Sequence, residues 1–240
     1  MINVTKTYLP PLGEYEKYLE GIWANSWVTN NGPLVKELEE KLKEYFGVKH
    51  LFFTSNGTIV LQMAIKALDF TGEIITTPFS YVATTTALLW ENCTPVFGDI
   101  EATTLNLDPS KIEALITPST QGILATHVFG IPCQIEAIQK IADKHQLKVI
   151  YDAAHTFGTT YKNKHLVSYG DISTISFHAT KLFHTIEGGA IITNDDELAA
   201  KIRLYRSFGH INDDHFSIGK KEKNSEFHAA MGLCLFPRIN

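Results

Sequence analysis

The sequence predicts an α/β fold, and two observations carry the prediction. Short apolar and β-branched runs alternate with amphipathic helical stretches from residue 51 to residue 151, which is the pattern of successive βαβ units. With 240 residues and 44% hydrophobic content, the chain can bury one substantial core around such a sheet.

Residues 1–31 are turn-rich, with Pro10-Pro11, Gly13 and Asn30-Asn31, and read as a leader without a core of its own. The first element is a helix. Pro33 suits its first turn, Leu34, Leu38, Leu42 and Tyr45 share a stripe, Glu37/Lys41 and Glu39/Lys43 form supporting pairs, and Gly47 ends it. Strands at 51–54, 74–76, 95–97, 122–126 and 147–151 then alternate with helices at 58–68, 82–90, 109–116 and 135–145. The stretch 172–178 alternates, Ser173, Ile175 and Phe177 on one face and Ser176 and His178 on the other, and 190–193 is a second apolar run. Asp195 caps a further helix, and 224–235 is the last.

Composition excludes several functions. A formal charge of -5 without a long Lys/Arg block argues against nucleic acid, and no apolar run is long enough for a bilayer. Cys93, Cys133 and Cys234 are odd in number and far apart, which suits a reducing compartment, the cytoplasm, and predicts no disulfide. The cluster His210, Asp213, Asp214 and His215 has no metal-ligand spacing and fits an exposed loop, so no metal is expected.

Ligands of open α/β sheets gather beyond the carboxyl ends of the strands, so the residues standing there are the candidates. After the first strand, Ser55-Asn56-Gly57-Thr58 opens a helix whose free N–H groups and hydroxyls suit a phosphate, although an ordinary N-cap has the same sequence. Asp152 stands at the end of the apolar run Val149-Ile150-Tyr151, where a carboxylate needs a cationic or hydrogen-bonded partner, and His155 stands close by. Tyr81 can lie flat on an aromatic ring or sit in the core. Lys181 lies on the turn between 172–178 and Gly188-Gly189. An amine desolvated there loses its proton more readily, and a neutral amine is what a Schiff base with a carbonyl cofactor requires. A phosphate cradle, an aromatic platform, a strand-end aspartate and a turn lysine, in that order, are the parts of a pyridoxal phosphate site.

The stretches SFHATKLFHTIEGGA, YDAAH and NSEFHAAMGL resemble the DegT/StrS type of pyridoxal phosphate-dependent sugar aminotransferase. The resemblance implies a fold-type I large domain, three α/β/α layers around a mostly parallel sheet, occupying residues 32–240. It implies that Lys181 is the covalent attachment point, that Asp152 pairs with the pyridine nitrogen, that His155 is a neighbouring contact and Tyr81 the stacking ring, and that Gly57, Thr58 and Ser176 hold the phosphate. It implies a nucleotide-linked ketosugar as acceptor, glutamate as donor, and a homodimer with its site at the interface. This sequence has Lys221 where the family pattern has an asparagine that reaches the partner's phosphate. Relatives also continue into a smaller C-terminal domain, absent from these residues. Two alternatives stay open: a non-catalytic remnant or regulatory module that keeps the fold, and a sugar dehydratase, in which histidine would replace Lys181.

Overall fold

The computed structural model describes residue 2 and residues 4–239; Met1, at the start of the expected leader, Asn3 within it, and Asn240, at the end of the expected large domain, lie outside the described residues. In chain order the elements are α1 (Leu12–Asn25), α2 (Pro33–Phe46), β1 (His50–Thr54), α3 (Gly57–Ala67), β2 (Glu73–Thr76), α4 (Val82–Trp90), β3 (Thr94–Phe97), α5 (Pro109–Ile112), β4 (Thr120–Thr126), α6 (Ile135–His145) and β5 (Lys148–Asp152). They continue with the hairpin β6 (Thr160–Tyr161) and β7 (Lys164–His165), then β8 (Ile172–Ser176), β9 (Gly189–Thr193), α7 (Asp196–Tyr205), the hairpin β10 (His210–Ile211) and β11 (Asp214–His215), and α8 (Glu226–Leu235).

Seven strands form the central sheet in the order β1-β9-β8-β5-β4-β2-β3. Neighbours from β8 through β3 are parallel, and β9 runs antiparallel to both β1 and β8. The mostly parallel three-layer architecture expected from the sequence is therefore present. Strand alternation sorts the core: Ile150, Ile172 and Ile191 pack with α3, α4 and α7, while Val149 and Tyr151 face α6 and Phe53, Ile175 and Ile192 face α2 and α8.

Two differences from the sequence reading concern the amino-terminal region. Residues 12–25 of the expected leader are a helix, with Ile22 buried and the Tyr15 hydroxyl donating to Phe227 O at 3.0 Å. Its apolar residues find partners far along the chain, on α8 above all, so turn chemistry dominated the local pattern. On α2 the fully buried stripe is Val35, Leu38, Leu42 and Phe46, one residue round from the expected one at both ends. The entry to α2 is also held from a distance, because the buried Glu226 accepts hydrogen bonds from the Leu34 and Val35 N–H groups at 2.8 and 3.0 Å. Gly47 ends α2 at φ 63°, the left-handed cap its sequence position predicts.

Among the described residues no helix is long and apolar enough to cross a membrane. Cys93, Cys133 and Cys234 are buried, free thiols. The residues His210, Asp213, Asp214 and His215 belong to the β10–β11 hairpin, on the molecular surface.

Candidate active site

At the carboxyl ends of β1, β4, β5 and β8 lies a cavity of ≈ 500 Å³. Gly57, Thr58, Tyr81, Asp152, His155, Ser176 and Lys181 all line it, together with Asn56, Thr84, Thr126, His127, His178 and Glu187. The sheet places them there: a parallel strand releases its chain at the same end each time, and each candidate stands within a few residues of such a release point.

Asp152 is the last residue of β5 and 6% exposed. Both of its hydrogen-bond donors are neutral: the Thr84 hydroxyl reaches Oδ2 at 2.7 Å and the Ala154 N–H reaches Oδ1 at 3.1 Å. Among the described residues its hydrogen-bond donors carry no charge, so the site favours a cation in the cavity beside it, as the Asp152 effect on Lys181 also indicates. Lys181 follows β8 on a turn closed by its own N–H to His178 O at 2.8 Å. It is half-buried, because the turn leaves the strand and projects over the cavity. Burial lowers its pKa below the ordinary 10.5, and Asp152 pulls in the opposite direction. The result is an amine whose neutral form is more accessible than that of a surface lysine.

The start of α3 differs in detail from expectation. Asn56 is the N-cap, and its Oδ1 accepts from the Thr58 and Ile59 N–H groups at 3.0 and 2.9 Å, so two of the N–H groups expected to be free are already engaged. The Ser55 hydroxyl turns away and donates to Glu222 at 2.6 Å. What remains at the cavity is Gly57 packed against Ser176: a β-carbon on Gly57 would lie 2.8 Å from Ser176 Cβ. The small residue brings helix start and strand end together, which sets the Ser176 and Thr58 side chains on one cavity.

Tyr81, 77% exposed, is on the cavity and not in the core. His155 is open to solvent on one side; desolvation first, then the nearby Lys181 charge, holds its pKa below the usual 6.5.

Thr84, His127 and Glu187 are among the lining residues that escaped the sequence reading. Thr84 lies in a helical Thr84-Thr85-Thr86 run, a β-branched polar cluster unusual in a helix, and that was the available signal. His127 immediately follows β4, a strand end like that of Asp152. It is buried, stacks on Tyr151 with ring centroids 4.6 Å apart, and accepts the Cys133 N–H on Nδ1 at 3.0 Å. Burial drives its pKa down to about 3, so it is neutral with the hydrogen on Nε2. Glu187, whose carboxylate lies 3.5 Å from His178 Nε2, stands at the cavity just before the Gly188-Gly189 pair and carried no local signal. Lys221 is exposed and pairs with Ser207 through an isolated β-bridge; it is not part of the cavity lining.

The model of the DegT/DnrJ/EryC1/StrS aminotransferase family matches residues 13–240. Over 233 residues the sequence is 49% identical to a dTDP-4-amino-4,6-dideoxy-D-glucose transaminase of Shigella dysenteriae, covering 97% of this chain and 64% of that protein. Among solved structures, DesI in the presence of its TDP-sugar product superposes with a TM-score of 0.93 at 38% identity, covering 99% of this chain and 62% of that one. NtdA from Bacillus subtilis, with its cofactor PMP bound, superposes with a TM-score of 0.89 at 29% identity over 99% of this chain and 57% of that one. The chain thus spans 57–64% of the length of these relatives.

Proposed function

Because the chain belongs to the DegT/DnrJ/EryC1/StrS aminotransferase family, we propose that it is the cofactor-binding part of a pyridoxal phosphate-dependent transaminase that aminates a nucleotide-linked ketosugar, with glutamate as donor. The product would serve cell-surface polysaccharide or natural-product sugar synthesis. The observation that carries this reading is the pairing, in one cavity, of a desolvated lysine with a buried carboxylate whose hydrogen-bond donors among the described residues are neutral.

The residues fit the cofactor. Lys181 would hold it covalently, Asp152 would face its ring nitrogen, Tyr81 would cover its ring with His155 beside it, and Gly57, Thr58 and Ser176 would receive its phosphate. When bound, pyridoxal phosphate supplies an electron sink for the carbon that exchanges its amino group. Asp152 contributes by keeping a positive charge favourable in the cavity, and Thr84 and Ala154 keep that carboxylate in place. Lys181 Nζ, whose ammonium form burial disfavours, would in its neutral form be the base that takes the proton from the substrate carbon and returns it. Acid–base work by a positioned side chain contributes roughly 10²–10⁴-fold. The exposed Phe79, Tyr81 and Leu182 near the opening are suited to cover by a second copy, which agrees with a homodimer, and the buried free thiols agree with a cytoplasmic setting.

Borohydride reduction in the presence of pyridoxal phosphate, followed by peptide mapping, should place the label on Lys181. Label on Lys162 or Lys164 of the β6–β7 hairpin, or no label, removes the assignment. In a background that includes a relative's C-terminal domain, Asp152→Asn should keep the fold and much of the cofactor binding while amino transfer from glutamate falls by about a hundredfold or more. Near-normal transfer would rule out the role given to Asp152.

A further inference from the structure

Lys181 borders two openings. Besides the main cavity, it lines a crevice of ≈ 260 Å³ whose other walls include His155, Phe157, Thr180, Leu182 and, from the far end of the sequence, Thr5. The segment carrying Thr5 is tied to the lysine turn at two points. The Thr7 hydroxyl donates to Ala179 O at 3.0 Å, and His184 Nε2 lies 2.7 Å from Tyr8 O. His184 is 1% exposed, and its Nδ1 accepts the Ile186 N–H at 3.2 Å. The ring hydrogen is therefore on Nε2 and is donated to Tyr8 O. Ile186 has φ 68°, a conformation a β-branched residue adopts only where its surroundings hold it. One neutral imidazole thus holds the turn on one side and the amino-terminal segment on the other.

We infer that residues 5–8 form a fixed back wall behind Lys181 and that His184 is the positioning residue that latches this wall to the lysine turn. The wall limits water behind the amine, while the Ile186 contact holds the turn on the far side of His184, away from the crevice lining. Only the catalytic consequence of this inference rests on the proposed cofactor role of Lys181; the latch itself does not.

Two variants separate the two bonds of His184. Asn can present its carbonyl oxygen where Nδ1 accepts from Ile186 but is too short to reach Tyr8 O, so His184→Asn combined with Thr7→Val releases the segment and spares the turn. His184→Gln can still reach Tyr8 O but loses the Ile186 bond. The lysines are reductively methylated with ¹³C-formaldehyde, and the Lys181 signal, assigned with Lys181→Arg, is titrated by NMR without cofactor. Water admitted behind the amine stabilises the ammonium form, so the Lys181 midpoint should rise by about half a pH unit or more, roughly threefold in protonation constant, in the double variant and stay within error of wild type in His184→Gln. An unchanged midpoint in the double variant, or equal shifts in both, overturns the wall. Failure of Lys181 to take pyridoxal phosphate in unmodified protein would instead overturn the proposed function and leave this titration standing.

Discussion

The hydroxyl of Thr84, on α4, donates to Oδ2 of Asp152, at the end of β5, across 2.7 Å and 68 positions of sequence. A first-turn helix residue and a strand-end carboxylate thus form one unit, and the orientation of the carboxylate in the cavity depends on a side chain from another βαβ repeat. Thr84→Val keeps the shape and deletes the donor. It should cost about 1–3 kcal/mol, because a buried carboxylate oxygen loses its partner, and it should weaken pyridoxal phosphate binding, whereas Thr84→Ser should restore both. Chemical denaturation and cofactor titration of the three proteins measure this; equal stability of the valine variant and wild type would show that the bond contributes nothing.

Gly57 tests the close approach of α3 to β8. Alanine is the better helix former by about 1 kcal/mol, yet its β-carbon would sit 2.8 Å from Ser176 Cβ and 3.3 Å from Ser176 Cα, and overpacking of this kind costs about 1–3 kcal/mol. Gly57→Ala should therefore be destabilising by up to about 2 kcal/mol and should lower phosphate affinity. Adding Ser176→Gly should recover the stability and not the affinity, since the hydroxyl is gone. Unfolding curves with and without inorganic phosphate distinguish the two effects, and an alanine variant more stable than wild type would mean the contact relaxes freely.

The lowered pKa of Lys181 has a defined sign. The folded protein releases this proton at lower pH than the unfolded chain, whose lysine titrates near 10.5. Below the lowered value both states are protonated and the full penalty of desolvating the ammonium is present; as pH rises from there towards 10.5 the unfolded state holds more protons, and the penalty disappears. Lys181→Met should consequently raise Tm of the cofactor-free protein at pH 7, by only about 1–3 °C because the group is half-exposed and screened by solvent. That advantage should shrink as pH approaches 10.5. Differential scanning calorimetry of the two proteins across pH 7–10.5 reads it directly; a methionine variant less stable at pH 7 would contradict a desolvated ammonium.

Periodicity and strand-end chemistry were enough to place the βαβ alternation and to gather Gly57, Thr58, Tyr81, Asp152, His155 and Lys181 as candidates, with Ser176 added by the family resemblance, because those properties are local: a parallel strand buries a short apolar run, and the residue after it inherits the cavity end of the sheet. Seven residues spread over 125 positions line one cavity for that reason. Tertiary structure alone decided that β9 slots antiparallel between β1 and β8, that Asn56 spends its side chain on capping α3, and that α1 exists by packing on α8. It also decided that Glu226 caps α2 from the far end of the sequence, and that Thr84 and His184 hold Asp152 and the lysine turn. Each of these is a contact between positions far apart in sequence, where the hydrogen-bonding group of one residue leaves no periodic trace near its partner, and only the closed fold brings the two within bonding distance.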